Sequence, residues 1–398
     1  MPQNWSMKNV ITYIALVTLV LVSCKKKKED DNTSTPDSYA TQKTQLKTTY
    51  ADMAFAVYND ALLTSQDLRN ALYAFVDSPS LTTHNAAKQA WLDAREVYGQ
   101  TEIFRFVDGP IDNTSDGPEG LINAWPMDEA YVDYVVGSPN AGIINNVATY
   151  PTINATTIIS TNEFGSEENI SAGYHAIEFL LWGQDLDANG AGARSYTDYL
   201  TVGGTNSNQQ RRGEYLKVLG DILVAALQQV SDAWNPNGVG NYRQTFLAMD
   251  SNTALRKMFN SLRVLSGIEL AGERIYVAYE NSNEEDEHSC FSDNTHRDIY
   301  LNALAISNLY KGNYTRVGGT LVSGYALEDL VAEVNATKNA ELLTRFQTTE
   351  TLIGLMYTPF DQAIVLPVER PKVLDVVTSL QTEQTVILSI AVEFGITF

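Results

Sequence analysis

Cysteine is almost missing from this chain, with 2 in 398 residues. The pair, Cys24 and Cys290, is too few for a disulfide framework. Positive charge is also scarce: 27 Lys and Arg stand against 48 Asp and Glu, for a formal net charge of −21. Phosphate backbones need a basic surface, so nucleic acid is excluded as a partner. Glycine (25) and proline (12) are too few for a fibrous or low-complexity protein. Only 19% of residues are charged, yet 44% are hydrophobic, enough for a sizeable core and against disorder of the whole. The length suits two domains or one large one. Clean alternating strand patterns are absent.

The apolar run Val10–Val22 has 13 residues, short of the roughly 20 that span a bilayer. It follows Lys8 and ends in Leu21-Val22-Ser23-Cys24, which resembles a bacterial lipobox. Residues 1–23 therefore read as a lipoprotein signal peptide with Cys24 as the lipidated residue. Residues 24–37, with Lys25–Lys28, an acidic Glu29-Asp30-Asp31 and Ser/Thr/Pro, cannot bury a core and read as a disordered tether. The lysines suit anionic head groups. Lys8 is the one charge in residues 1–23, so the exported chain carries −22, and residues 29–398 carry −26. Cys290 then has no partner in the chain and is expected as a packed thiol.

Beyond the tether the periodicity is helical. Leu46, Tyr50, Met53 and Val57, then Leu68, Leu72 and Phe75, mark one face of a helix from Ala40 to Val76. A second is predicted from about Asn85 to Phe106, capped by Thr82 or Thr83. Its stripe of Trp91, Ala94 and Tyr98 continues to Glu102 and Arg105, and His84 at its start reads as a surface residue. Further helices are predicted over Ile170–Trp182, Tyr215–Trp234, Leu255–Tyr279 and near 297–309, 327–355 and 372–394. This is an all-α pattern of two helical-bundle domains, 38–205 and 206–398, with the glycine-rich stretch 183–213 at their junction.

Three segments carry candidate chemistry. In Gly173-Tyr174-His175-Ala176-Ile177-Glu178, His175 and Glu178 are three apart and share a helix face. Their neighbours are apolar nearly all round, so a charged Glu178 must be paired, hydrogen-bonded or metal-bound. The pair could present a nitrogen and an oxygen to a divalent or ferric ion. It could equally be a buried hydrogen bond that fixes the fold. No His-Glu-x-x-His zinc motif occurs. The second segment, Glu287-His288-Ser289-Cys290-Phe291-Ser292-Asp293-Asn294-Thr295-His296-Arg297-Asp298, gathers two of the four histidines. His296 and Asp298 could be ligands, orienters or caps. Third are isolated charges on apolar faces: Glu102 with Arg105, and Glu269 with Glu273. Asp185-Leu186-Asp187-Ala188-Asn189-Gly190 opens like a calcium loop, but its twelfth position is Tyr196 and not Glu and the flanking helix pair is wrong, so a calcium ion is not expected there.

The Gly173-x-His175-x-x-Glu178 motif, continuing into Leu180-Leu181-Trp182-Gly183-Gln184-Asp185, resembles the hallmark of the imelysin peptidase family. Trp91-Leu92-Asp93-Ala94-Arg95, Glu102, Phe104-Arg105-Phe106, Gly109-Pro110-Ile111-Asp112 and Glu287–His296 are similar to it as well. The resemblance implies two bundle-like domains with the His/Glu motif near their interface. It also implies a bacterial envelope protein linked to iron uptake, in a family whose name carries a metallopeptidase claim although many members are regarded as non-proteolytic. A weak internal echo aligns Ser171–His175 with Leu265–Glu269.

The expectation is thus a metal-associated binding lipoprotein at the envelope, on either leaflet of the outer membrane, partnered by iron-uptake proteins. Iron or another divalent or trivalent ion, or an iron-bearing ligand, is the expected cargo. His175 and Glu178 are the candidate metal ligands, with Glu102, Arg105, Asp112, Glu269, Glu273, Ser289, Asp293 and His296 as further site candidates. The alternatives are a metallopeptidase using His175 and Glu178, and a structural or adhesion lipoprotein.

Overall fold

The stripe from Leu46 to Phe75 lies buried along one continuous helix, α1 (Ala40–Asp77), of 38 residues and about 57 Å. The computed structural model describes residues 39–398. The expected signal segment, Cys24 and the tether therefore lie outside the described residues. Beside α1 packs α2 (Leu81–Tyr98). Its start differs from expectation: Ser80 is the cap, its hydroxyl accepting from Thr83 N while Thr83 Oγ1 accepts from Ser80 N.

The chain leaves α2 through a 3-10 turn, Glu102–Phe104, so Glu102 and Arg105 do not continue the helix as expected. Loops and three short helices (Glu129–Val132, Gly142–Asn145 and Ala155–Thr161) then lead to α3 (Tyr174–Trp182), every residue of which is buried. Next come α4 (Gln209–Trp234), which lies along α1, and α5 (Ser251–Arg263). The expected helix to Tyr279 changes character at Val264. From there to Tyr276 it is a π-helix, and only Val277–Asn281 returns to α. The last long helices are α6 (Thr295–Lys311), α7 (Leu327–Ile353) and α8 (Arg370–Glu393), with α7 and α8 packed on one another.

The fold is all-α, as the periodicity predicts. Its one sheet among the described residues is the antiparallel hairpin β1 (Asn313–Thr315) and β2 (Leu321–Ser323), with Tyr314 opposite Val322. Tyr39–Phe398 forms one compact unit. The expected domain junction at residue 205 falls in the loop between the turn Tyr196–Tyr199 and α4, and α1 packs on α4 across it. No helix among the described residues is long and apolar enough to cross a membrane.

Candidate functional site

The motif helix α3 begins at a backbone position that only glycine tolerates. Gly173 has φ 92° and ψ −175°, and a Cβ there would stand 2.7 Å from Ile122 O. That close approach lets Tyr174 N donate to Ile122 O at 2.8 Å, pinning α3 against the Ile122–Asn123 segment.

One turn on, the His175 and Glu178 side chains meet at 2.9 Å, Nδ1 to Oε2, both fully buried. The other carboxyl oxygen, Oε1, accepts from Ser292 N (3.0 Å) and Ser292 Oγ (2.6 Å). Burial pushes Glu178 up to about 8, opposed by the Ser292 hydroxyl and Arg95. Burial, with the fields of His288 and Arg95, drives His175 well below the usual imidazole range. Both directions favour the neutral pair. Glu178 Oε2–H then donates to Nδ1, and the ring proton sits on Nε2, a buried atom with no partner among the described residues.

Behind this pair lies a charged network that periodicity could not reveal. The Arg95 guanidinium donates to Asp298 Oδ1 through Nη2 at 3.0 Å and to Asn123 Oδ1 through Nη1 at 2.5 Å. Ser289 Oγ donates to Asp298 Oδ2 at 2.5 Å. His288 Nδ1 lies 3.6 Å from that oxygen, and the His288 and His175 rings are 5.0 Å apart. Burial lowers His288 to about 4. Burial also raises Asp298, but Arg95, with His288 and Ser289, outweighs it and holds the carboxyl well below the usual range.

A third layer opens to solvent. His288, Asn123 and Trp125 wall a pocket of about 690 Å³ whose other lining includes Arg105, Arg274, Glu119, Glu163, Glu167, Glu269, Glu273 and Asp286. The Trp125 ring sits 4.9 Å from His175, so the motif histidine is one side chain behind this wall. Glu102 beneath it accepts from Arg274 Nη2 (2.5 Å) and Arg105 Nη1 (3.1 Å), and Arg105 also pairs with Glu119 at 3.1 Å. The π-helix matters here. Its i→i+5 bonding brings residues five apart onto one side, and Glu269 lies 3.8 Å from Arg274.

The structure thus brings together His175, Glu178 and Ser289, and beside them Glu102, Arg105, Glu269 and Glu273. It separates three candidates. Asp112 accepts from Phe106 N (2.7 Å) and Gly109 N (3.1 Å) and closes a turn. His296 bonds the Asp293 carbonyl at 3.0 Å in the first turn of α6. Asp293 faces a different set of carboxylates. His84 corrects an expectation outright: it is 2% exposed, stacks on Phe75 and contacts Leu181 O at 2.8 Å. A turn of helix placed it on the inner side of α2. Cys290 is a buried thiol, as expected. Sequence reading did not assign roles to Arg95, Asn123, Trp125, His288, Ser292 or Arg274. An arginine inside the Trp91–Tyr98 stripe was the one available signal.

The fit to a metal is partial. Nδ1 is taken by Glu178, both Glu178 oxygens are engaged and Nε2 carries the ring proton, so Nε2 would offer a lone pair to a metal only if that proton moved to Nδ1. Among the described residues no three His, Cys, Asp or Glu side chains are placed to hold a metal ion.

The Imelysin family model, of the M75 peptidases, matches residues 54–387. The chain belongs to the imelysin family. Iron-regulated protein A of Synechococcus elongatus (strain ATCC 33912 / PCC 7942 / FACHB-805) is 24% identical over 320 residues, 79% of this chain and 75% of that protein. The crystal structure of an iron-regulated protein A precursor from Parabacteroides distasonis ATCC 8503 has a TM-score of 0.67 at 18% identity. It covers 88% of this chain and 95% of its own. That of an imelysin-like protein from Psychrobacter arcticum 273-4 has a TM-score of 0.63 at 16% identity, covering 90% and 97%. At those identities the likeness concerns the fold.

The motif pair makes stability depend on pH with a definite sign. Burial holds the folded Glu178 carboxyl at about 8, above the ordinary glutamate value of 4.5. Its contribution is therefore complete below pH 4.5 and is lost as pH rises through 8. From pH 6.5 to 8.5 this imelysin-family chain should lose about 2 kcal/mol through Glu178 alone. Thermal unfolding of wild type and Glu178→Gln across that range checks it, since the difference between the two curves should shrink toward higher pH.

Proposed function

We propose that this chain is an imelysin-family binding protein of the bacterial envelope, anchored through Cys24, that captures a metal-bearing small ligand, with iron as the metal. The observation that carries the reading is the acid-lined pocket against His288 and Trp125. Its two arginines are already paired with Glu102 and Glu119, so Glu163, Glu167, Glu273 and Asp286 leave an excess of negative charge facing the cavity. Walls of low dielectric focus such a field and raise the local concentration of cations. Hard carboxylate oxygens suit ferric iron. A relative named iron-regulated protein A supports the choice of metal. Because no preformed set of three ligands stands among the described residues, the cargo fits best as an ion that brings donors of its own. His175 and Glu178 then act as a neutral, hydrogen-bonded backing that fixes the wall.

Calorimetric titration of the mature protein with ferric citrate, and anaerobically with ferrous iron, tests this. One equivalent of one of them is expected to bind. Glu269→Gln/Glu273→Gln should weaken it about tenfold, the effect of losing roughly one charge-assisted contact. Failure of wild type to bind either form overturns the reading. Chelator-sensitive cleavage of casein, lost in His175→Ala, would favour the metallopeptidase alternative. Neither binding nor cleavage, with His175→Ala merely less stable, would leave the structural or adhesion role.

A further inference from the structure

A cavity of about 180 Å³ lies among the last three long helices and shares no lining residue with the pocket against His288 and Trp125. The helical period puts Tyr300, Ala303 and Leu304 on one face of α6, and Phe346 and Thr349 on one face of α7. Helix α8 closes the space with Glu383. Half-buried Lys311 and exposed Glu350 stand on its solvent side.

Glu383 is 2% exposed. Its partners among the described residues are hydroxyls and not cations. The supply of protons to it is short. Thr349 Oγ1 donates to Oε1 and accepts in turn from Ser379 Oγ at 2.7 Å. Ser266 Oγ has one proton and stands 2.8 Å from Leu380 O but 3.4 Å from Glu383 Oε2, so the carbonyl takes it. Oε2 is left without a donor of its own, in a side chain that walls a cavity. Burial pushes Glu383 up to about 7, against the Thr349 and Ser266 hydroxyls and the field of Arg345. Arg345 itself pairs with Glu341 at 4.0 Å. A buried carboxylate is ordinarily matched by a cation, and here the room for one is the cavity.

We propose that this cavity is a second small-molecule site, for a primary ammonium compound with one ring or a short apolar chain. Its ammonium would meet Glu383, and its apolar body would lie along Leu304 and Phe346. Size sets the ceiling. An apolar cavity of about 150 Å³ holds benzene, so this one has room for a single ring and a one-carbon arm. An ammonium brings three donors to a carboxylate that lacks one. A bare metal ion fits less well, since no three His, Cys, Asp or Glu side chains are placed together among the described residues.

Ligand-observed NMR titration of the mature chain with benzylamine at pH 8 tests the site, with benzyl alcohol as the uncharged ligand of like size. Benzylamine should bind saturably and about tenfold more tightly than the alcohol, the effect of roughly one charge-assisted contact. Glu383→Gln keeps the shape of the wall and should remove that tenfold preference while leaving benzyl alcohol unchanged. Ala303→Phe fills the space and should abolish binding of both. Glu269→Gln/Glu273→Gln, in the acid-lined pocket, should bind benzylamine as wild type does. Absence of saturable benzylamine binding, a preference that survives Glu383→Gln, binding that survives Ala303→Phe, or binding lost in Glu269→Gln/Glu273→Gln overturns the site.

Discussion

Asp298→Ala is expected to destabilise the protein by about 3–5 kcal/mol, the range for removing one partner of a buried ion pair. Asp298 is 2% exposed and is the counter-ion of Arg95, which is 1% exposed. Without it, the guanidinium keeps only Asn123 as a hydrogen-bond acceptor, while Ser289 loses its acceptor and His288 its neighbouring anion. An isolated charge in a low-dielectric interior is the costly species, more so than the loss of any single hydrogen bond. Urea unfolding of the variant measures the loss. A double replacement, Arg95→Met/Asp298→Leu, should recover much of it, because it removes both charges. If Asp298→Ala alone costs under 1 kcal/mol, the network does not hold the site as described.

Gly173→Ala should cost about 3 kcal/mol or more, although it adds a single methyl group. The φ of 92° is strained for any residue with a Cβ, a penalty of about 1–3 kcal/mol. The new atom would also meet Ile122 O at 2.7 Å and Ile122 C at 2.9 Å. Backbone cannot swing aside as a flexible side chain can, so α3 must lift from the Ile122–Asn123 segment. That movement breaks the Tyr174 N–Ile122 O bond and displaces His175 from the Trp125 and His288 wall. Ligand binding should therefore fall with stability, measured by the ferric citrate titration below the variant's Tm. Ala172→Gly, next to it, lacks any such clash and should retain binding.

These two variants show why the motif reads as it does. Its glycine is needed for backbone geometry, its histidine and glutamate for a buried hydrogen bond, and its intervening residues for an all-round apolar helix. Spacing on one helix was enough to place His175 beside Glu178. It could not show that Ser292 would occupy the second Glu178 oxygen, because that contact joins residues 114 positions apart. The same limit hid Arg95–Asp298, at a separation of 203. Glu269 and Glu273 were legible as charges on an apolar face, but the π-helix that turns them toward the pocket with Arg274 was not. Local propensity does not distinguish i→i+4 from i→i+5 bonding when tertiary packing selects it.

The sequence alone determined the helical class, most helix spans and the buried character of the motif helix, since each follows from periodicity within one segment. It also determined the surplus of acid. Only the tertiary structure decided where that surplus gathers: some acids paired by buried arginines and others rimming a pocket. The physical reason is that the energy of a charge depends on what stands within a few ångströms of it. Chain folding, and not chain order, supplies those neighbours.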